Sequence, residues 1–94
     1  MAKVKWSRDS IEDLKEICRF IALDSPYYAK IFNDRVFEVV EYLELFPKLG
    51  RRVPESDDPN VRELIYKAYR IIYQIKEDCL EIITVIHGSR LLKL

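Results

Sequence analysis

The chain has 94 residues, 49% hydrophobic and 34% charged, which fits one globular domain. At this size roughly 60–65% of the unfolded surface is buried, enough for one core without metal or disulfide staples. The 16 basic and 16 acidic residues cancel, so bulk charge does not announce a nucleic-acid binder. No apolar run is long enough to span a membrane and no secretory leader opens the sequence, so the expectation is a cytoplasmic protein without membrane contact. Cys18 and Cys79 are the only cysteines. With one histidine they offer too few ligands for a metal site, and Cys18 reads as a small buried hydrophobe. No cofactor is called for.

Val4-Lys5-Trp6 alternates as a short opening strand, with Val4 and Trp6 toward the core. Ser7 is the natural N-cap of a first helix, followed by Asp9, Glu12 and Asp13 where acids suit the helix dipole. Ile11, Leu14, Cys18 and Ile21 form its apolar stripe, widened by Ile17 and Phe20. Asp24-Ser25-Pro26 punctuates the chain. Pro26 ends the first helix and fits the first position of the next, with Ser25 as N-cap. The second helix is expected to run to about Phe46, with Ala29, Phe32, Val36, Val39, Leu43 and Phe46 on its inner face, and Pro47 stops it. So short a joint makes an antiparallel helical hairpin.

Lys48–Asn60, with Gly50, Pro54 and Pro59, reads as loop. It holds the basic pair Arg51-Arg52 and the acids Glu55, Asp57 and Asp58. Three β-type runs follow: Val61–Tyr66, Tyr69–Lys76 and Leu80–His87. The joints Lys67-Ala68 and Glu77-Asp78-Cys79 leave room only for antiparallel hairpins. The third run is apolar at nearly every position, as a central strand covered on both faces would be. The element order β-α-α-β-β-β predicts an α+β fold: an N-terminal strand and a two-helix hairpin packed on a mostly antiparallel four-stranded sheet, the first strand returning beside a later one.

Arginines in an oily sheet need an anion or a carboxylate beside them. Arg62, Arg70 and His87 lie on the strands, and Arg90 follows. Basic residues concentrate in the second half, with Arg51, Arg52, Lys67 and Lys93 beside these. Pairing across Glu77–Cys79 sets Arg70 opposite Val85 to His87, and a one-residue change of register decides whether they share a face. Arg62 or Arg70 can equally pair with Glu55, Glu63, Asp57 or Asp58 and tie the loop to the sheet.

Trp6-Ser7, Asp13-Leu14, Phe46-Pro47 with Gly50-Arg51, Arg62-Glu63-Leu64, Tyr69-Arg70-Ile71-Ile72-Tyr73 and Val85-Ile86-His87-Gly88-Ser89-Arg90 together resemble the RelE/ParE superfamily of toxins, over nearly the whole chain. The resemblance implies the growth-inhibiting toxin of a type II toxin–antitoxin pair, neutralised by direct binding of a cognate antitoxin. RelE-like members cleave mRNA on the ribosome, whereas ParE-like members poison DNA gyrase and lack a nuclease site.

A metal-independent nuclease attacking through a 2′-hydroxyl needs a base, an acid and positive charge on the phosphorane. The resemblance makes Arg70 and Arg90 the candidate cations. By the chemistry of their side chains His87 is the candidate proton carrier and Glu55 or Glu63 a candidate carboxylate base, with Arg62 a charge partner or target contact. Against it, no tyrosine follows Arg90, and the second strand has Arg62 and Glu63 where such nucleases carry lysines. The slightly favoured expectation is therefore a ParE-like toxin that binds gyrase without chemistry. A ribosome-dependent mRNA endonuclease is the alternative, and a non-toxic antitoxin-binding domain a third. Leu91, Leu92 and Leu94 are candidate antitoxin contacts, as are the sheet edges.

Overall fold

A computed structural model describes residues 3–92; Lys93 and Leu94 lie outside the described residues. The elements are β1 (Val4–Trp6), α1 (Arg8–Asp24), α2 (Pro26–Leu45), β2 (Arg51–Arg52), β3 (Val61–Tyr66), β4 (Tyr69–Ile75) and β5 (Leu80–His87). Both helices start where their caps demand. The Ser7 hydroxyl accepts from the Ser10 amide, and the Ser25 hydroxyl accepts from Tyr28, with Pro26 in the first turn. Each cap supplies an acceptor to an amide that has no partner inside its helix.

The sheet has five strands, not four, in the order β1-β5-β4-β3-β2. β1 returns to pair in parallel with β5, Val4 opposite Leu80, while the other neighbours are antiparallel. The added strand comes from the stretch read as loop. Arg51 pairs with Glu63 and Arg52 with Arg62. Two charged residues carry no β-type pattern, so only the tertiary contact makes them a strand. β4, not β5, occupies the middle, and Arg70, Ile71, Ile72 and Tyr73 are all buried.

One sheet face carries the helices. Leu14, Phe32, Val36, Val40 and Leu43 pack there on Ile71, Tyr73, Leu80, Ile82 and Val85, with Val4 and Trp6 at the margin. A register shift at Ile72/Tyr73 lets Ile82 and Val85, three residues apart, face the same core. Three stripe assignments fail. Ile11 is 41%, Phe20 67% and Phe46 58% exposed, because these positions lie outside the helix faces that pack on the sheet. Val40 takes the inward place instead.

The other face has no helix. A smaller cluster there, Val53, Val61 and Ile72 with Ile83 and Leu92, is covered by the segment after β2 and by the C-terminal tail.

The turn Phe46–Gly50 is tied to this frame by Tyr73. Its buried hydroxyl donates to the Pro47 carbonyl (2.7 Å) and accepts from the Gly50 amide (2.9 Å). A Cβ at Gly50 would stand 2.5 Å from the Glu63 carbonyl oxygen and 2.8 Å from the Tyr73 ring, so only glycine permits the approach that lets β2 pair. Among the described residues, no helix is long and apolar enough to cross a membrane.

Candidate functional site

Arg70 lies on the central strand and opens onto the helix-free face. Its guanidinium is held from three sides. Nε donates to Glu63 Oε1 (2.6 Å), and the two terminal nitrogens fork onto Glu55 Oε1 and Oε2, both at 2.8 Å. Nη1 also donates to the Arg90 carbonyl (3.0 Å). The fork matches a carboxylate's two oxygens, the strongest geometry open to arginine. Glu63, on β3, has a fully buried side chain and is sandwiched, since Arg51 Nε reaches its other oxygen at 2.5 Å. Glu55 comes from the loop before β3, and its Oε2 also accepts from the Leu92 amide (2.8 Å).

The electrostatics follow from those contacts. The hydrogen bonds from Arg70, then from the Leu92 amide, hold the Glu55 carboxyl down at about 2. The Arg70 guanidinium is pushed up, first by Glu55 and then by Glu63, against the opposing effect of burial. An arginine so placed is a fixed cation whose charge is already matched by two carboxylates.

Beside it is a cleft of about 570 Å³, lined by Arg51, Pro54, Glu55, Ile65, Arg70, Gly88, Ser89, Arg90 and Leu91. Arg70 and Arg90 therefore share one cavity. Arg90 is exposed and also borders a second cleft of about 390 Å³, which runs to Asp9, Asp13 and Ile86.

His87 is not in the same place. It pairs with Tyr69, whereas Arg70 pairs with Ile86. Cross-strand partners share a face, and Tyr69 packs edge-on against Phe32 of α2. His87 thus belongs to the helix-bearing face, its ring 5.4 Å from that of Tyr69. Its Nδ1 accepts from the Ser89 amide (3.1 Å) and lies 2.7 Å from the Ser89 hydroxyl. Arg62 also sits on the helix-bearing side, opposite Tyr73, and its Nη1 donates to the Gly50 carbonyl (3.0 Å). Leu91 is 82% exposed, while Leu92 is half-buried on the smaller cluster.

Sequence reasoning missed the part played by Arg51 and Tyr73. A tyrosine in an otherwise apolar buried strand needs a hydroxyl partner, and that was the available signal. Cys18 is half-buried, its thiol pushed up by burial and directed at Asn33 Oδ1 (3.9 Å), while Cys79 is buried. Among the described residues, no three metal-ligating side chains gather.

A strand, a helical hairpin and a mostly antiparallel sheet in this order are the domain of the RelE/ParE toxin superfamily. Residues 4–92 match the family model for the ParE toxin of the type II toxin–antitoxin system parDE, and the chain belongs to that family. Its fold is similar to that of a solved structure of the chromosomal ParDE toxin–antitoxin system from P. aeruginosa. The TM-score is 0.77 at 24% identity, over 95% of this chain and 98% of that one. No curated protein matches the sequence.

Proposed function

We propose that this chain is the toxin of a type II pair, that a cognate antitoxin neutralises it by direct binding, and that it acts by binding DNA gyrase without chemistry of its own. The observation that carries the absence of chemistry is the state of Arg70. A nuclease needs its cation open to a scissile phosphate and a proton carrier within hydrogen-bond reach. Here two carboxylates already take that guanidinium, and His87 belongs to the other face. Membership of the ParE family supports the same reading.

Antitoxin binding is supported by what the surface leaves uncovered. Phe20, Leu23, Tyr27 and Tyr28 are 63–82% exposed around the helix–helix turn. β2 spans only Arg51-Arg52, so Leu64–Tyr66 of β3 have no strand on their outer side among the described residues. Exposed apolar groups and an open edge are what a wrapping partner covers. Leu91, beside the cleft, is a further candidate contact.

The second reading keeps the ribosome and mRNA as target. It rests on Arg70 and Arg90 lining one cavity and requires Glu55 to withdraw. Two assays separate the readings. The purified protein is added to gyrase and relaxed plasmid, and separately to a translating extract whose mRNA ends are mapped. Inhibited supercoiling with intact transcripts is expected. Cut transcripts with normal supercoiling would establish the nuclease, and neither effect would leave an antitoxin-binding domain without toxicity.

A further inference from the structure

Two irregular segments cover the helix-free face: the loop from Val53 to Asn60 and the tail from Gly88 to Leu92. Neither has an extended ladder to the sheet. The loop is anchored at its two ends, by Val53 N to the Val61 carbonyl, by Ile75 N to the Asn60 carbonyl and by Gln74 to Asp58, with Arg52 reaching the Asp57 carbonyl. Between them it holds itself by Ser56 N to the Val53 carbonyl and Asp58 N to the Ser56 hydroxyl, and the tail turns through Arg90 N to the His87 carbonyl. Both end on the same pair of side chains. Arg70 Nη1 serves Glu55 and the Arg90 carbonyl, and Glu55 Oε2 serves Arg70 and the Leu92 amide. We propose that Glu55 and Arg70 form a latch that fastens loop and tail to the sheet together, so that the two open as one unit and uncover Ile72 and Ile83.

The roles within the pair differ. Arg70 is the post: it stays on the sheet through Nε and the buried Glu63 even when its outer nitrogens are free. Glu55 is the hook, carried by an irregular segment with its side chain 19% exposed. When the hook lifts, the Leu92 amide loses its acceptor and the loop loses its guanidinium at once. Leu92 then leaves the cluster it roofs, and the loop beyond Val53 lifts while Val53 stays on β3 through its amide bond to the Val61 carbonyl. Segments with so few backbone bonds open at far less cost than the strands beneath. The closed form also keeps Arg70 satisfied by the chain's own carboxylate, in a cleft that Arg51 and Arg90 also line.

Amide exchange followed residue by residue by NMR, on the whole chain near neutral pH, tests the latch. Glu55→Gln keeps the size of the side chain but removes its charge and one of its two acceptor oxygens. An NH2 group then stands donor against donor, either on the Arg70–Leu92 side or on the other Arg70 nitrogen. The Ser56 and Asp58 amides of the loop and the Arg90 and Leu92 amides of the tail should all exchange about tenfold faster or more, by a common factor, with Ile71 and Ile72 unchanged. Leu92→Pro removes the tail's donor without touching the loop, and it should still speed Ser56 and Asp58. Leu92→Ala keeps the N–H and should leave the loop amides near wild type. The latch is overturned if Glu55→Gln frees the loop alone, if Leu92→Pro leaves the loop unchanged, or if Leu92→Ala loosens it as much as proline does. Should Glu55→Gln fail to fold, the two Leu92 variants decide alone. None of these readouts involves gyrase, mRNA or an antitoxin, so their failure and that of the proposed function are separable.

Discussion

Arg70 is the residue on which the helix-free face depends, and its removal has a calculable consequence. Arg70→Ala would leave Glu63, with a fully buried side chain, holding only Arg51. Breaking a buried ion pair from one side costs about 3–5 kcal/mol, which denaturant unfolding would register as a large drop in midpoint at unchanged slope. Loss of toxicity in that variant would therefore report lost fold as readily as lost chemistry. Arg90→Ala and His87→Ala are the cleaner probes, because both side chains are exposed. Glu55 adds a pH dependence whose sign is fixed. Its carboxyl lies at about 2 in the fold against an ordinary value of 4.5, held there by Arg70 and the Leu92 amide. A depressed carboxylate contributes stability above the unfolded value and loses it as pH falls toward the folded one. Exchange protection of the Leu92 amide should therefore decline between pH 4.5 and about 2, and Glu55→Gln, which has no carboxyl to titrate, should lack that decline.

The elements themselves were largely legible, and the places where they were not have physical causes. The serines before each helix, the proline at 26 and the β-branched runs after residue 60 act through local backbone chemistry, so they speak from the sequence alone. β2 was not legible, because Arg51-Arg52 becomes a strand only when Gly50 approaches the Glu63 carbonyl and Arg51 meets Glu63. The same holds for the site. The pairing of arginine with acid could be anticipated from burial cost, but which face His87 takes depended on register across the β4–β5 turn. The β3–β4 turn carries its own prediction. Lys67 has φ of 54°, in the left-handed region that costs a side-chain-bearing residue roughly 1–2 kcal/mol. Lys67→Gly should therefore raise thermal stability, with a gain of up to about 1 kcal/mol after the entropy that glycine restores to the unfolded chain. A lower midpoint would show that the lysine side chain has a compensating contact.

At the scale of the whole molecule, charge and fold point the same way. A protein that seats itself on RNA phosphates releases counterions, so its affinity falls steeply with salt, by close to one power of salt per phosphate neutralised. This chain has 16 basic and 16 acidic residues. Arg70, the cation at the floor of the cleft, is matched by Glu55 and Glu63, and Arg51 on its wall also meets Glu63. Of the arginines lining that cavity, Arg90 alone has no side-chain ion pair among the described residues. One unpaired guanidinium in that cleft supports a salt slope of about one for RNA seated there. A protein–protein target engaged through apolar contacts such as the exposed Phe20, Leu23, Tyr27 and Tyr28 would show a shallow slope and a negative heat-capacity change on binding. Fluorescence anisotropy with a labelled single-stranded RNA, and calorimetry with purified gyrase, each run from low to physiological salt, separate the two cases. Weak RNA binding that vanishes by physiological salt, beside gyrase binding that persists there, is the expected pattern. A steep slope with tight RNA binding would mean that Glu55 leaves Arg70 when phosphate arrives, and the nuclease reading would then replace the one proposed.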